Sequence, residues 1–319
     1  MMKMKNVYLG SLTSLVVIAS SIAHADEGVY VPTLEGGLTA SVGTFIVTPT
    51  SDYQDYTAFL NDDGTATVQN VNPGYDWGIN ASLGYVFEET ANSVELFFRN
   101  ISTSDTTSGF GTTEFFETLT GDFSGDLGYE LNSFDLMFSQ FVNLGEVMQV
   151  RLSGGLAYVE LEQNQNIIVS PAADPDAVAT ISSESEFKGW GPRVGIDTRY
   201  EFGEGLEGLG IVGGGSMAYY LGDLDYTYAT SSDIGVQDDP GNHAVLNFRA
   251  NLGLDYVYFF DNDERSTLGL EIGYLIDYYG DAAEYTNLDT AGDSVVMATS
   301  TDTTAISFAG PYVELKGVF

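Results

Sequence analysis

The chain has 319 residues and no cysteine, which excludes disulfides, thiolate metal sites and cysteine nucleophiles. Its 46 acidic residues stand against 10 Lys plus Arg, a formal charge of −36. Such a chain repels nucleic acid and attracts cations.

Lys3 and Lys5 precede the apolar run Leu15–Ala19 and then Ala23-His24-Ala25. This is the order of a secretory signal peptide, with cleavage after Ala25. Residues 1–25 are therefore expected to be removed and residues 26–319 to form the mature domain. The apolar run is too short for a bilayer, which needs about 20 residues, and no later run is long enough for a helix. A mature chain that enters a membrane must enter as strands.

Apolar and polar residues alternate in ten stretches. Their outward residues run Leu38–Ile46, Trp77–Phe87, Val94–Phe98, Phe134–Phe138, Met148–Tyr158, Val194–Phe202, Leu209–Leu221, Leu246–Phe260, Leu268–Tyr278 and Ala309–Phe319. Only a period of two separates these residues from their neighbours. The third and fourth stretches span a bilayer only if their flanks extend them. The fifth loses its alternation at Val159-Glu160-Leu161, where a bulge is expected. Short turns at Glu88–Asn92, Asn143–Glu146, Gly203–Gly208 and Asp261–Ser266 alternate with long polar connections. The long ones are Thr48–Asp76, Thr106–Glu130, Glu162–Glu186, Tyr228–His243 and Gly280–Thr304. Ile167-Ile168-Val169 and Phe115-Phe116 are apolar exceptions within them.

This asymmetry is that of an outer-membrane barrel, with short periplasmic turns and long external loops. The expected fold is all-β: an antiparallel, up-and-down transmembrane barrel of about ten strands, with both termini periplasmic and five long external loops. Eight or twelve strands would require merging or splitting the weaker stretches. Trp77, Tyr219 and Tyr278 form one expected aromatic girdle. Phe87, Phe141, Tyr200, Phe202, Tyr258, Phe259, Phe260 and the final Phe319 form the other.

The strand charges fall on the opposite, inward face: Glu95, Arg99, Asp135, Arg151, Arg193, Asp197, Arg199, Glu201, Arg249, Asp255, Glu271, Asp277, Glu314 and Lys316. An Arg facing lipid at the midplane costs roughly 2–4 kcal/mol, so these belong in the lumen. There they form either a stiffening salt-bridge network or the lining of a pore. The acidic pairs Asp62-Asp63 and Asp238-Asp239 match no calcium-loop spacing. No metal or cofactor site is expected.

Several segments resemble the Legionella major outer-membrane protein family. They are Phe187-Lys188-Gly189-Trp190-Gly191-Pro192-Arg193-Val194-Gly195-Ile196-Asp197, the tail Gly310–Gly317, Tyr75-Asp76-Trp77-Gly78 and Asp135–Phe141. The resemblance implies an abundant, surface-exposed outer-membrane barrel with porin activity.

Three functions follow as expectations. The first is a pore for small solutes or ions, with a cation preference set by the acidic mouth. The second is a surface structural or adhesion barrel with a plugged lumen. The third and remotest is an omptin-like protease using His243, the one histidine of the mature chain, beside Asp238 and Asp239. No catalysis is expected. The expected partners are outer-membrane lipid and lipopolysaccharide, and the barrel-assembly machinery through the strand that ends in Phe319. A homo-oligomer is left open.

Overall fold

A computed structural model describes residues 29–30, 36–51, 55–60, 66–71, 73–114, 118–145, 147–174, 177–203, 205–231, 235–238, 241–260, 266–287 and 300–319. The signal peptide, Phe115-Phe116, Asp62-Asp63, Asp239 and the turn Asp261–Arg265 lie outside the described residues.

Ten long strands form a ring: β1 (Gly37–Ser51), β2 (Asp76–Val86), β3 (Asn92–Glu114), β4 (Thr118–Leu144), β5 (Met148–Pro171), β6 (Ala179–Glu201), β7 (Leu209–Thr230), β8 (Asn242–Phe259), β9 (Thr267–Asn287) and β10 (Ser300–Val318). Each pairs antiparallel with the next, and β10 pairs with β1. Phe319 and Leu38 exchange both backbone hydrogen bonds at 2.9 Å, which closes the seam. A closed ring leaves no edge to pair with another chain. Shorter strands add to it. Val29–Tyr30 pairs with the end of β4, Asp55–Leu60 with Ala66–Asn70, and Gly235–Asp238 with β7.

The outward face carries a continuous apolar band. Leu83, Leu96, Leu136, Ile196, Leu252, Leu270, Ile272 and Leu315 are all exposed. A soluble protein does not leave so large an apolar belt wet, whereas lipid covers it.

The strands run further than the outward apolar pattern reaches. The span Thr106–Glu130, expected as a polar connection, is mostly ladder, with β3 and β4 paired out to Glu114 and Thr118. The span Glu162–Glu186 is likewise paired, out to Val169 and Ala179. No bulge exists at Val159–Leu161. The register of β5 with β4 and β6 runs through it without a shift. The reason is a phase inversion. Below Tyr158 the apolar residues of β5 point outward to lipid. Above it Val159, Leu161, Ile167 and Val169 point inward and are buried. The same inversion separates outward Leu221 from inward Leu224 in β7, and outward Phe134 from inward Leu131 in β4. A strand that leaves the bilayer has no lipid to face, so only its inner side stays apolar.

Two glycines set the local geometry. Gly145 adopts φ +71° in the turn after β4, a conformation costly for other residues. Gly310 lets β10 crowd β1: a Cβ there would lie 1.8 Å from the Ile46 carbonyl oxygen. Gly310→Ala is therefore expected to destabilise the barrel by about 1–3 kcal/mol. Gly74→Ala, whose Cβ meets nothing within 4 Å, should be neutral. Urea unfolding of the two variants in detergent micelles checks this.

Candidate functional site

The candidate site is the barrel interior, built in layers because inward side chains at one height come from neighbouring strands. At the short-turn end lies a cavity of about 320 Å³. Phe141, Gln149, Val212 and Val257 line it together with Arg151, Asp197, Arg199, Asp255, Glu271 and Lys316. Phe141 is thus a lumen residue and not part of a girdle. It shares the inward parity of Asp135, Met137 and Ser139.

The charges of this layer pair both across and along strands. Arg151 meets Glu95 of β3 and Asp197 of β6, both at 2.9 Å. Arg199 meets Asp255 at 2.6 Å and Glu201 at 2.9 Å. Lys316 holds Glu271 at 2.6 Å, and the Tyr312 hydroxyl donates to the other Glu271 oxygen. Glu314 lines a second cavity of about 170 Å³, deeper in the barrel.

Arg99, Asp135, Arg193 and Arg249 also line that cavity, and their ion pairs cross the lumen. Arg99 of β3 and Arg249 of β8 both hold Asp277 Oδ2 of β9, at 2.7 and 3.1 Å. Arg249 and Arg193 of β6 both hold Asp135 Oδ2 of β4, each at 3.2 Å. Arg193 also donates to the Tyr220 hydroxyl at 2.6 Å, to Asn247 at 2.9 Å and to Ser216 at 2.8 Å. Asn247 returns a bond to Asp277 at 2.7 Å. Asp277, Arg193 and Asp135 are almost fully buried. The carboxylates and guanidiniums offset one another's desolvation, which neither could meet alone. Asn247, Ser216 and Tyr312 stand on the inward faces that the alternation gives them, whereas sequence reasoning did not single out Tyr220. Inward parity on their strands was the signal that marks them.

One layer further, Ile101, Leu131, Leu161, Phe187 and Leu224 form a single inward rung across β3 to β7. All five are 0–1% exposed, and Phe45, Val245, Tyr279, Ile306 and Phe308 pack with them. These buried apolar side chains meet in the barrel interior at this height.

His243 lies on the inward side of β8. Its Nε2 donates to the Asp281 carbonyl at 2.7 Å, and its ring sits edge-on against Phe187. Among the described residues no group of three or more His, Asp or Glu is arranged to hold a metal ion.

On the outer surface Trp77, Tyr219 and Tyr278 mark one end of the apolar band, joined by Trp190, whose ring lies 4.6 Å from Tyr158. At the other end Tyr85–Phe87, Tyr200–Phe202 and Tyr258–Phe260 stack edge-to-face, and Phe319 is exposed nearby. Beyond Trp190 the outward face turns acidic. Glu130, Glu162, Glu186 and Asp225 are direct cross-strand neighbours. Lys188 bridges Glu186 and Glu160 there, and the hydrogen bond to Glu186 holds its ammonium above its ordinary range.

Asp277→Ala leaves Arg99 and Arg249 without their shared carboxylate. It is expected to cost about 3–5 kcal/mol in urea unfolding, with partial recovery when Arg249→Met is added. Trp77 and Trp190 are the two tryptophans of the chain. Their fluorescence should be quenched by lipids brominated near the headgroup more strongly than by lipids brominated at the chain ends.

Similarity to known proteins agrees with a membrane barrel. The family model described as Legionella pneumophila major outer membrane protein precursor matches residues 30–319. No curated protein matches the chain. Among solved structures, the outer membrane protease OmpT of Escherichia coli is 10% identical, covering 89% of this chain and 97% of its own, with a TM-score of 0.41. The translocator domain of autotransporter NalP from Neisseria meningitidis is 11% identical, with 96% and 94% covered and a TM-score of 0.36. The toluene transporter TodX of P. putida is 11% identical, with 94% and 91% covered and a TM-score of 0.26. The match over residues 30–319 and the closed ten-strand ring together give the assignment: this chain belongs to the Legionella pneumophila major outer membrane protein family and resides in the bacterial outer membrane.

Proposed function

We propose that this protein is a closed-lumen, surface-presenting barrel of the outer membrane, working through its long hairpins rather than as an open diffusion pore. The observation that carries this reading is the fully buried apolar layer of Ile101, Leu131, Leu161, Phe187 and Leu224. In the proposed orientation the short turns and the 320 Å³ cavity face the periplasm. The hairpins of β3–β4 and β5–β6 then stand above the outer leaflet. Their acidic rung lies level with lipopolysaccharide headgroups, where divalent cations can join the two. The bond from His243 Nε2 to a backbone carbonyl supports an anchoring role for that residue.

A second reading is a narrow, cation-preferring pore that conducts when the closing layer rearranges. The two polar cavities below that layer favour it. Liposome swelling separates the readings. Proteoliposomes holding the refolded protein are expected to swell in arabinose no faster than empty liposomes. The double variant Phe187→Ala with Phe308→Ala, which thins the apolar layer, should swell faster. Swelling by the unaltered protein supports the pore instead.

A further inference from the structure

Most charges of the lumen are matched by one another. Arg151, Arg193, Arg199 and Arg249 each meet at least two acceptors, and Lys316 holds Glu271. Three polar side chains on the wall of the 170 Å³ cavity stand apart: Arg99 of β3, Asn80 of β2 and Glu314 of β10. Among the described residues Arg99 donates to a single acceptor, Asp277 Oδ2 at 2.7 Å, and its Nε has no partner. Neither the Asn80 amide nor the Glu314 carboxylate makes a hydrogen bond or ion pair with a described residue.

These three side chains come from one rung. Asn80 pairs across the ladder with Arg99 on one side and with Gly43 on the other, and Gly43 pairs with Glu314. Gly43 leaves the middle of the rung open: a Cβ there would lie 2.4 Å from Asn80 Oδ1. The Arg99 guanidinium lies over the Phe45 ring, 5.4 Å from its centroid. Phe45 is the next inward residue of β1 after Gly43, so the positive group stands one inward step, roughly 7 Å of strand, beyond the level of Glu314. The approach is from the short-turn end. Arg151, Asp197, Asn251, Glu271 and Lys316 line both this cavity and the larger one there.

A guanidinium with unused donors and a carboxylate with unused acceptors, on one wall of one cavity, call for a ligand of both signs. A plain anion would meet Glu314, a plain cation would meet Arg99, and a neutral molecule would compensate neither. We propose that this cavity binds a small zwitterion of the amino-acid class, entering from the short-turn side. Its carboxylate sits on Arg99, its ammonium on Glu314, and the Asn80 amide lies between them. Charge-assisted hydrogen bonds of this kind are the strong ones. A volume of about 170 Å³ restricts the ligand to a small side chain. This goes beyond the closed-lumen reading and does not depend on it, because a conducting barrel would present the same wall.

Glycine is the probe, as a very small molecule that carries both charges. Folded protein in a non-ionic detergent, checked by its heat-dependent gel mobility, is titrated in a calorimeter with glycine, and separately with acetate and with methylammonium. Glycine is expected to bind saturably. Each single-charge probe should bind about tenfold or more weakly, as expected for loss of a hydrogen bond between charged groups. Glu314→Gln should weaken glycine about tenfold and bring acetate level with it. Glu314 makes no ion pair, so this variant keeps the struts of the barrel. Arg99→Gln, which also loses the bond to Asp277, is the second variant and should bring methylammonium level with glycine. A cavity that holds water alone gives no saturable glycine binding, and that result would overturn the site. So would acetate binding the unaltered protein as tightly as glycine, or Glu314→Gln leaving the glycine affinity unchanged. Calorimetry reads occupancy and swelling reads conduction, so failure of one is distinguishable from failure of the other.

Discussion

Two carboxylates, Asp277 and Asp135, each shared by two arginines, tie together walls of the barrel that the backbone ladder never joins. Arg99 of β3 and Arg249 of β8 meet on Asp277, and Arg249 and Arg193 of β6 meet on Asp135. A ring of hydrogen-bonded strands resists shear but is free to flatten. Struts across the lumen remove that freedom. They also set the spacing at which Phe45, Tyr220 and Tyr279 meet in the interior. Buried ion pairs add little net stability over an apolar filling of equal shape, yet breaking one is expensive. The network is better understood as fixing one geometry than as the main source of stability. The apolar side chains above it supply that, with large aromatic groups burying the most surface.

The two faces of each strand answer to different solvents, and the interior answers to height. Near the short turns the lumen is wide enough to hold water, and its charges pair around a cavity. Midway the space narrows, and Arg193, Asn247 and Asp277 join in one hydrogen-bonded network. Above the girdle of Trp77, Trp190, Tyr219 and Tyr278 the outside becomes aqueous while the inside becomes dry. The barrel there resembles an ordinary soluble β-barrel set on top of a membrane one. Its hydrophobic core lies inside the ring, and its acidic outer face keeps the hairpins apart in solution.

The membrane-spanning part of this arrangement is legible in the sequence, because lipid imposes a strict demand on alternate residues. All ten strands are marked by outward runs such as Leu246–Phe260, and the inward charges by their opposite parity. The upper part is not legible by the same rule. Val159 and Leu161 look like a break in a pattern when the pattern is read as lipid-facing, although the strand continues through them. Read in the opposite phase, Leu127, Tyr129 and Leu131 in β4 and Leu224, Tyr226 and Tyr228 in β7 mark strands that have left the bilayer. The partners within the lumen are less legible still. Arg99 and Asp277 are 178 positions apart, and only the closure of the ring brings them to 2.7 Å.

The claim on which the account rests is that packed side chains close the lumen from wall to wall. Single-channel recording in planar bilayers tests it most directly, with folded protein inserted from detergent and potassium chloride on both sides. The account predicts a flat baseline at moderate voltage, with no stepwise current as barrels insert. Uniform, discrete steps from protein verified as folded would contradict it.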